Sequence, residues 1–293
     1  PQRSGTLAAK ERKPGCTLTR PLPHTIDAVI DNAPGRPTWT PSARYRHQLW
    51  LLTERDLRVR YSTSVLGYLW SILDPLVMAG IYWFVFTQVF QRGIANEPYI
   101  VFMLSALLPW MWFNGAISDS TRAYIYEAEL IRSTKIPRTI WVVRLVLAKG
   151  IEFGASLPVL AVFAIGTGAV LHWQVIYFLP AIALQFMLTV GVGLIVAPMV
   201  VFFRDLERAT KLILRFLFYA SPIVYGVSDL PTNLHFVAAF NPLVGIFSLY
   251  RAAFFPDQLS LFTVAVAAVM TLVILAIGIL VFLRTERAVL KEI

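Results

Sequence analysis

Six long apolar runs dominate this chain and restrict it to a membrane fold. Their approximate limits are 65–90, 99–118, 153–171, 175–203, 212–227 and 259–283. A helix needs about 20 apolar residues to cross the hydrocarbon of a bilayer. Within that layer every backbone N–H and C=O must be bonded inside the segment, so the runs read as six spanning helices. Of 293 residues, 57% are hydrophobic and only 15% charged, whereas a soluble domain carries about 25% charged residues. The fold class that follows is all-α and integral to the membrane. The fifth run is short and holds Arg215 near one end, so this side chain has to snorkel toward the surface.

The flanking sequence divides accordingly. Residues 1–39 are rich in Pro, Arg, Thr and Gly without an apolar run, and read as a disordered basic tail. Thr40-Pro41 has the form of a helix start, with Thr40 as N-cap and Pro41 at the first helical position. The segment 40–64 reads as an amphipathic interface helix. Tyr45, Leu49, Leu52 and Val59 recur near helical spacing, among Arg44, Arg46, Arg55, Arg58 and Arg60. Residues 65–293 form the transmembrane domain. Before its last span, about 233–257, comes an apolar stretch split by Asn241-Pro242 and closed by Pro256. Neither half is long enough to cross, so the stretch reads as a re-entrant helical hairpin.

The net charge is +9, and in a chain this apolar a basic excess points to anionic lipid, with no nucleic acid partner implied. With both termini inside, only Arg92 and Arg251 fall on the outer side, so the positive-inside rule selects that orientation. Arg144, Lys149 and Glu152 precede the third run and are not required to be buried. Cys16 is the only cysteine and the four histidines are scattered, so the sequence offers no metal site. No phosphate-binding loop of the G-x-x-x-x-G-K-[ST] kind occurs; the chain has no nucleotide site or other cofactor of its own.

Between the second and third runs lies "EAELIRSTKIPR", Glu127 to Arg138. Its acids come early, its cations late, and Pro137 stops it, which matches a helix dipole over about 126–137. Leu130, Ile131 and Ile136 among charges make an apolar knob with a charged rim, as a docking surface requires.

Six segments occur in order: "RDLRVRYSTSVLGYLWSILDPL", "LLPWMWF", "LIRSTKIPR", "FRD", "SPIVY" and "NPLVGIFSLYR". Together they resemble the membrane subunit of ABC-2 type polysaccharide exporters, the group that exports O-antigen, teichoic acid and cell-wall galactan, over roughly residues 44–293. The resemblance implies a homodimer in the bacterial plasma membrane with two separate ATPase subunits beneath, which bind the ATP and Mg. It implies a coupling helix at Glu127, Glu129, Leu130, Ile131, Arg132, Lys135, Ile136, Pro137 and Arg138. Ser133-Thr134 depart from the bulkier or basic residues expected there. The Arg-rich composition and long basic tail point, within the group, to a galactan exporter of the mycobacterial type.

A lipid-linked polysaccharide cargo demands flat apolar faces for sugars and cations for the diphosphate. Tyr82, Trp83, Trp110, Trp112, Phe113, Phe216, Tyr219 and Tyr225 are the candidate path aromatics, against a reading as interfacial belt and packing. Arg55, Arg58 and Arg60 are the candidate diphosphate or headgroup ligands. Ser221-Pro222 with Asn241-Pro242 form a candidate outer gate. Asp74, followed by Pro75 within the first span, is an intramembrane acid and so a functional candidate, with structural pairing at the kink as the alternative. Competing readings are an ABC-2 permease for a drug, lipid or haem, an intramembrane glycosyltransferase, which needs a DxD-like pair that is missing, and a proton-coupled transporter.

Overall fold

The computed structural model describes residues 40–62, 69–85, 98–134 and 136–292. The basic tail, the ends of the first apolar run, Arg92 and Lys135 lie outside the described residues. Among those described, the secondary structure is helical throughout, with no strand.

Helix α1 (Pro41–Ser62) starts at the expected proline. Its apolar side chains do not keep to one stripe: Leu52 packs on the core, whereas Trp50, Leu51 and Val59 are exposed. Helix α2 (Trp70–Trp83) contains Pro75. Helix α3 (Tyr99–Ser120) is apolar on all sides and accordingly buried along most of its length. A uniformly apolar helix belongs at the centre of a bundle, and α3 packs against α2 as well as the helices that follow.

A short helix α4 (Ala128–Ser133) occupies the loop after α3. Helix α5 (Ile140–Thr167) stops at Gly168, whose positive φ of 71° suits a glycine C-cap. It begins thirteen residues before the expected third span, and so takes in Arg144, Lys149 and Glu152. Arg144 is buried, contrary to the sequence reading; the early helix start presses its first turns against α1. Helix α6 (Phe178–Phe202) follows a turn of 3₁₀ helix, Trp173–Tyr177. Helix α7 (Leu206–Ala220) also starts before its expected boundary and ends at Ser221.

The stretch read as a hairpin contains two helices, α8 (Thr232–Ala239) and α9 (Pro242–Arg251), separated at Asn241. Helix α10 (Leu261–Glu292) completes the chain with 32 residues. Helices α6 and α10 form the closest pair: a Cβ on Gly278 would sit 2.3 Å from the Gly191 carbonyl oxygen, so both positions require glycine.

Among the described residues, four helices are long and apolar enough to cross a membrane: α3, α5, α6 with its preceding turn, and α10. Helix α2, in the described part of the first expected span, holds 14 residues, and α7, which covers only the start of the fifth, holds 15.

Candidate functional site

The bundle has two polar poles. At the first, α1, the loop around α4, and the starts of α5 and α7 converge in a network of ion pairs. Arg144 donates to Asp56 at 2.7 Å and to Glu127 at 3.3 Å, and its guanidinium lies 4.8 Å from the Trp141 ring. Arg55 bridges the same two acids. Burial pushes the Asp56 carboxyl up from its ordinary value, against the pull of Arg144 and then Arg55. A second knot joins Arg60 to Asp119 at 2.6 Å and to Glu152 at 2.9 Å, with Lys149 on Glu152 at 2.7 Å. In a third, Arg122 Nε donates to Glu207 at 2.8 Å and Lys211 to the same carboxylate at 2.7 Å.

These contacts revise the headgroup assignment. Arg55 and Arg60 are engaged by carboxylates of their own chain, and Arg58 pairs with Glu54. Sequence reasoning treated these arginines as a free basic set because Glu127, Asp119 and Glu152 lie 59 to 92 residues from Arg55 and Arg60, and it overlooked the local acids Glu54 and Asp56. The role of Arg144, Asp56, Asp119 and Glu152 was missed for the same reason.

Helix α4 is shorter than the expected 126–137, and its apolar residues do not form a free knob. Ile131 is only 3% exposed, and Leu130 and Ile136 pack partly on the core. Ile131 enters a slot with Tyr124, Phe282, Val289 and Leu290, and Arg138 meets Glu286 at 3.4 Å beside it. Glu127 turns inward to Arg55 and Arg144. The outward face consists of Tyr126, Glu129, Arg132, Ser133 and Pro137.

At the opposite pole, Asn241 Nδ2 donates to Ser221 Oγ at 2.9 Å, while its Oδ1 accepts from the Leu243 N–H at 3.1 Å and caps α9. Pro242 supplies the first residue of that helix. Ser221 and Pro222 are buried. Tyr99 donates to the Val224 carbonyl at 2.8 Å, and Arg251 to that of Ile223 at 2.9 Å. The four predicted gate residues are thus brought together, and Arg251, placed outside by the charge count, is buried between them and α3.

Between the poles a cavity of about 500 Å³ opens among α2, α3 and α7. Tyr82 stacks on Phe218 at 5.8 Å, Trp110 meets the same ring edge-on at 5.6 Å, and Tyr219 follows at 5.2 Å. Phe218, which the sequence reading passed over, is the hub of this group. Arg215 lines the cavity and has no ion-pair partner among the described residues. Phe216 and Tyr219 are 71% and 69% exposed, Trp83 is exposed, and Tyr225 donates to the Tyr219 carbonyl.

Trp112 and Phe113 belong to the core instead. Trp112 stacks on Phe153 at 5.2 Å and donates to the Val146 carbonyl at 3.0 Å. Neither lines the aromatic cavity; Trp110, equally buried, does, and Trp112 borders a different cavity. Asp74 lines a separate cavity of about 400 Å³ beside Pro75, Lys149 and Glu152, and makes no ion pair among the described residues. The described residues hold no group of ligands that could bind a metal.

Residues 47–255 match the family model of the ABC-2 type transporter. The chain belongs to the ABC-2 type transporter family. This ABC-2 protein is 33% identical over 233 residues to an O-antigen export system permease protein of Klebsiella pneumoniae, covering 79% of the chain and 89% of that relative. It is 30% identical to the corresponding permease of Myxococcus xanthus, over 78% of the chain and 90% of the relative. The polysialic acid transport protein KpsM of Escherichia coli is 25% identical over 81% of the chain and 93% of its own length. The resemblance drawn from the six ordered motifs is borne out.

Proposed function

We propose that this ABC-2 protein is the permease subunit of an ATP-driven exporter that moves a lipid-linked polysaccharide outward across the bacterial plasma membrane. The observation that carries this reading is the near full-length similarity to O-antigen export permeases. Energy comes from a separate ATPase subunit, in two copies under a homodimer of this chain, which holds the ATP and Mg. In this reading α2 and α7 complete six crossings together with residues beside them, α1 lies along the inner surface, α8 and α9 re-enter from outside, and both termini face the cytoplasm.

The two poles then take distinct roles. The outward face of α4 docks in the ATPase, with Glu129 and Arg132 as its charged contacts. Sugars pass the cavity lined by Tyr82, Trp110, Phe218 and Tyr219, which faces the second copy. Arg215, unpaired at that cavity, takes the diphosphate contact in place of Arg55 and Arg60, because a guanidinium already held by carboxylates has fewer donors left for phosphate. Ser221 and Asn241 hold the exit closed.

Co-purification with the ATPase subunit tests the assignment. Glu129→Lys with Arg132→Glu alters only exposed side chains, and it should abolish complex formation while the permease itself folds normally. Retained complex formation with ATP-driven export of the glycan would remove the docking assignment.

A further inference from the structure

The long helices differ in a respect that crossing a bilayer does not demand. Helices α3, α5 and α6 carry internal prolines, Pro109, Pro158 and Pro198, and the shorter α2 carries Pro75. Helix α10 carries none in 32 residues. An internal proline deletes one N–H and crowds the carbonyl a turn earlier, so it marks a point where a helix bends. Among these five helices α10 alone lacks such a point, and at 1.5 Å per residue it is about 48 Å long.

It is also gripped at both ends and in the middle. At the α4 end, Ile131 sits among Phe282, Val289 and Leu290, with a residual gap of only about 10 Å³, and Arg138 pairs with Glu286. In the middle, the backbones of Gly191 and Gly278 touch, which fixes the register against α6. At the hairpin end, a Cβ on Gly245 would lie 2.3 Å from the Thr263 carbonyl oxygen and 2.6 Å from the Ala267 side chain, so α9 rests directly on the α10 backbone. From Thr263 to Val289 the helix spans about 39 Å without a joint.

We propose that α10 is the transmission rod of the transporter: a displacement of α4 travels along it to α9 and so to the exit. Glu286 and Val289 are positioning residues at the receiving end, and Gly245 is the contact at the delivering end. Close-packed interiors pass displacement on because they have little free volume to absorb it. The other links from α4 and its loop run through ion pairs of long, flexible side chains to α1 and α7, or into helices with a proline in their path. The proposal rests on the ATPase-coupled reading given above.

The test uses the full complex in lipid vesicles, with an environment-sensitive fluorophore on Val237→Cys in a Cys16→Ser background. Val237 is exposed on α8, next to α9. The otherwise unaltered complex should change its signal on addition of ATP and Mg. Glu286→Ala with Val289→Ala unseats the rod, and Leu272→Gly with Val273→Gly, both on its exposed side, places a joint in it. Each pair should cut the ATP-driven signal and export at least fivefold while ATP hydrolysis stays within twofold. Arg138→Glu should rescue Glu286→Arg. A full signal in variants that assemble overturns the rod alone; if the glycine pair fails to assemble, the Glu286 and Val289 pair decides. A complex in which ATP changes nothing overturns the coupled reading and the rod together.

Discussion

The guanidinium of Arg251 lies 3.7 Å from the centre of the Phe102 ring. Its Nη2 reaches the Ile223 carbonyl at 2.9 Å and its Nε the Phe102 carbonyl at 3.4 Å. One buried cation therefore joins α9, α3 and the segment after α7. Arg251→Met keeps the bulk but leaves the Ile223 carbonyl without this donor, at about 1–3 kcal/mol, while the Phe102 carbonyl still accepts from the Ser105 hydroxyl. Arg251→Lys should also destabilise, because an ammonium cannot lie flat on the ring and reach both oxygens. Thermal unfolding in detergent checks both, and an unchanged midpoint in either variant removes the pinning role.

Exposure separates Phe216 and Tyr219 from the buried Trp112. Phe216→Ala and Tyr219→Ala should lower export several-fold with little change in unfolding midpoint, since both rings are exposed within the subunit. Trp112→Ala should instead cost about 3–5 kcal/mol as a large buried side chain is removed. Export and stability measured on the same preparations decide the matter; a stable Trp112→Ala would contradict the packing described.

The α1–α4 contact depends on Arg144. With Arg144→Met, Asp56 and Glu127 keep Arg55 between them but lose the buried cation, and breaking a buried pair in this way costs about 3 kcal/mol. The Asp56 carboxyl should then rise further, since Arg144 is the main influence that lowers it. Hydrogen exchange should speed up at residues 127–134 and remain unaltered in the α6–α10 pair.

Acid should weaken the junction of α3 with α7. Hydrogen bonds from Arg122 and then Lys211 hold the Glu207 carboxyl down from its ordinary 4.5 to about 2. A carboxyl whose pKa is depressed by folding adds stability above the unfolded value, and loses it as pH falls through the folded one. That contribution is therefore complete above about pH 4.5 and disappears toward pH 2. Arg122→Met should flatten this part of the profile, which unfolding midpoints between pH 6 and pH 3 would show.

Much of the architecture could be read from the residues. Apolar runs are a local property, and those of α3, α6 and α10 gave the helices nearly in place. Asn241-Pro242 marked the break between α8 and α9 because a cap and a first-turn proline act within one turn. The start of α5 was misjudged because Arg144 and Lys149 seemed to end an apolar run, whereas acids from α1 and α4, or a nearby Glu152, compensate them. The breaks at Ser221-Pro222 and Asn241-Pro242 were legible through turn chemistry. The pairing of Arg55 and Arg60 was not, since it depends on which helices meet, and neither was the burial of Ile131, whose slot is built by residues some 150 positions later in the chain.

Asn241 uses the two ends of one amide for separate tasks, the nitrogen on Ser221 and the oxygen on the first turn of α9. Parting the Ser221 side chain from Asn241 therefore breaks only the nitrogen side of this amide, at a net cost of about 1 kcal/mol, while the helix start stays capped. On the proposed reading the exit cycles without refolding its own lid. Ser221→Ala would keep the cap and lose the latch, which on that reading yields a pore that is intact but leaky.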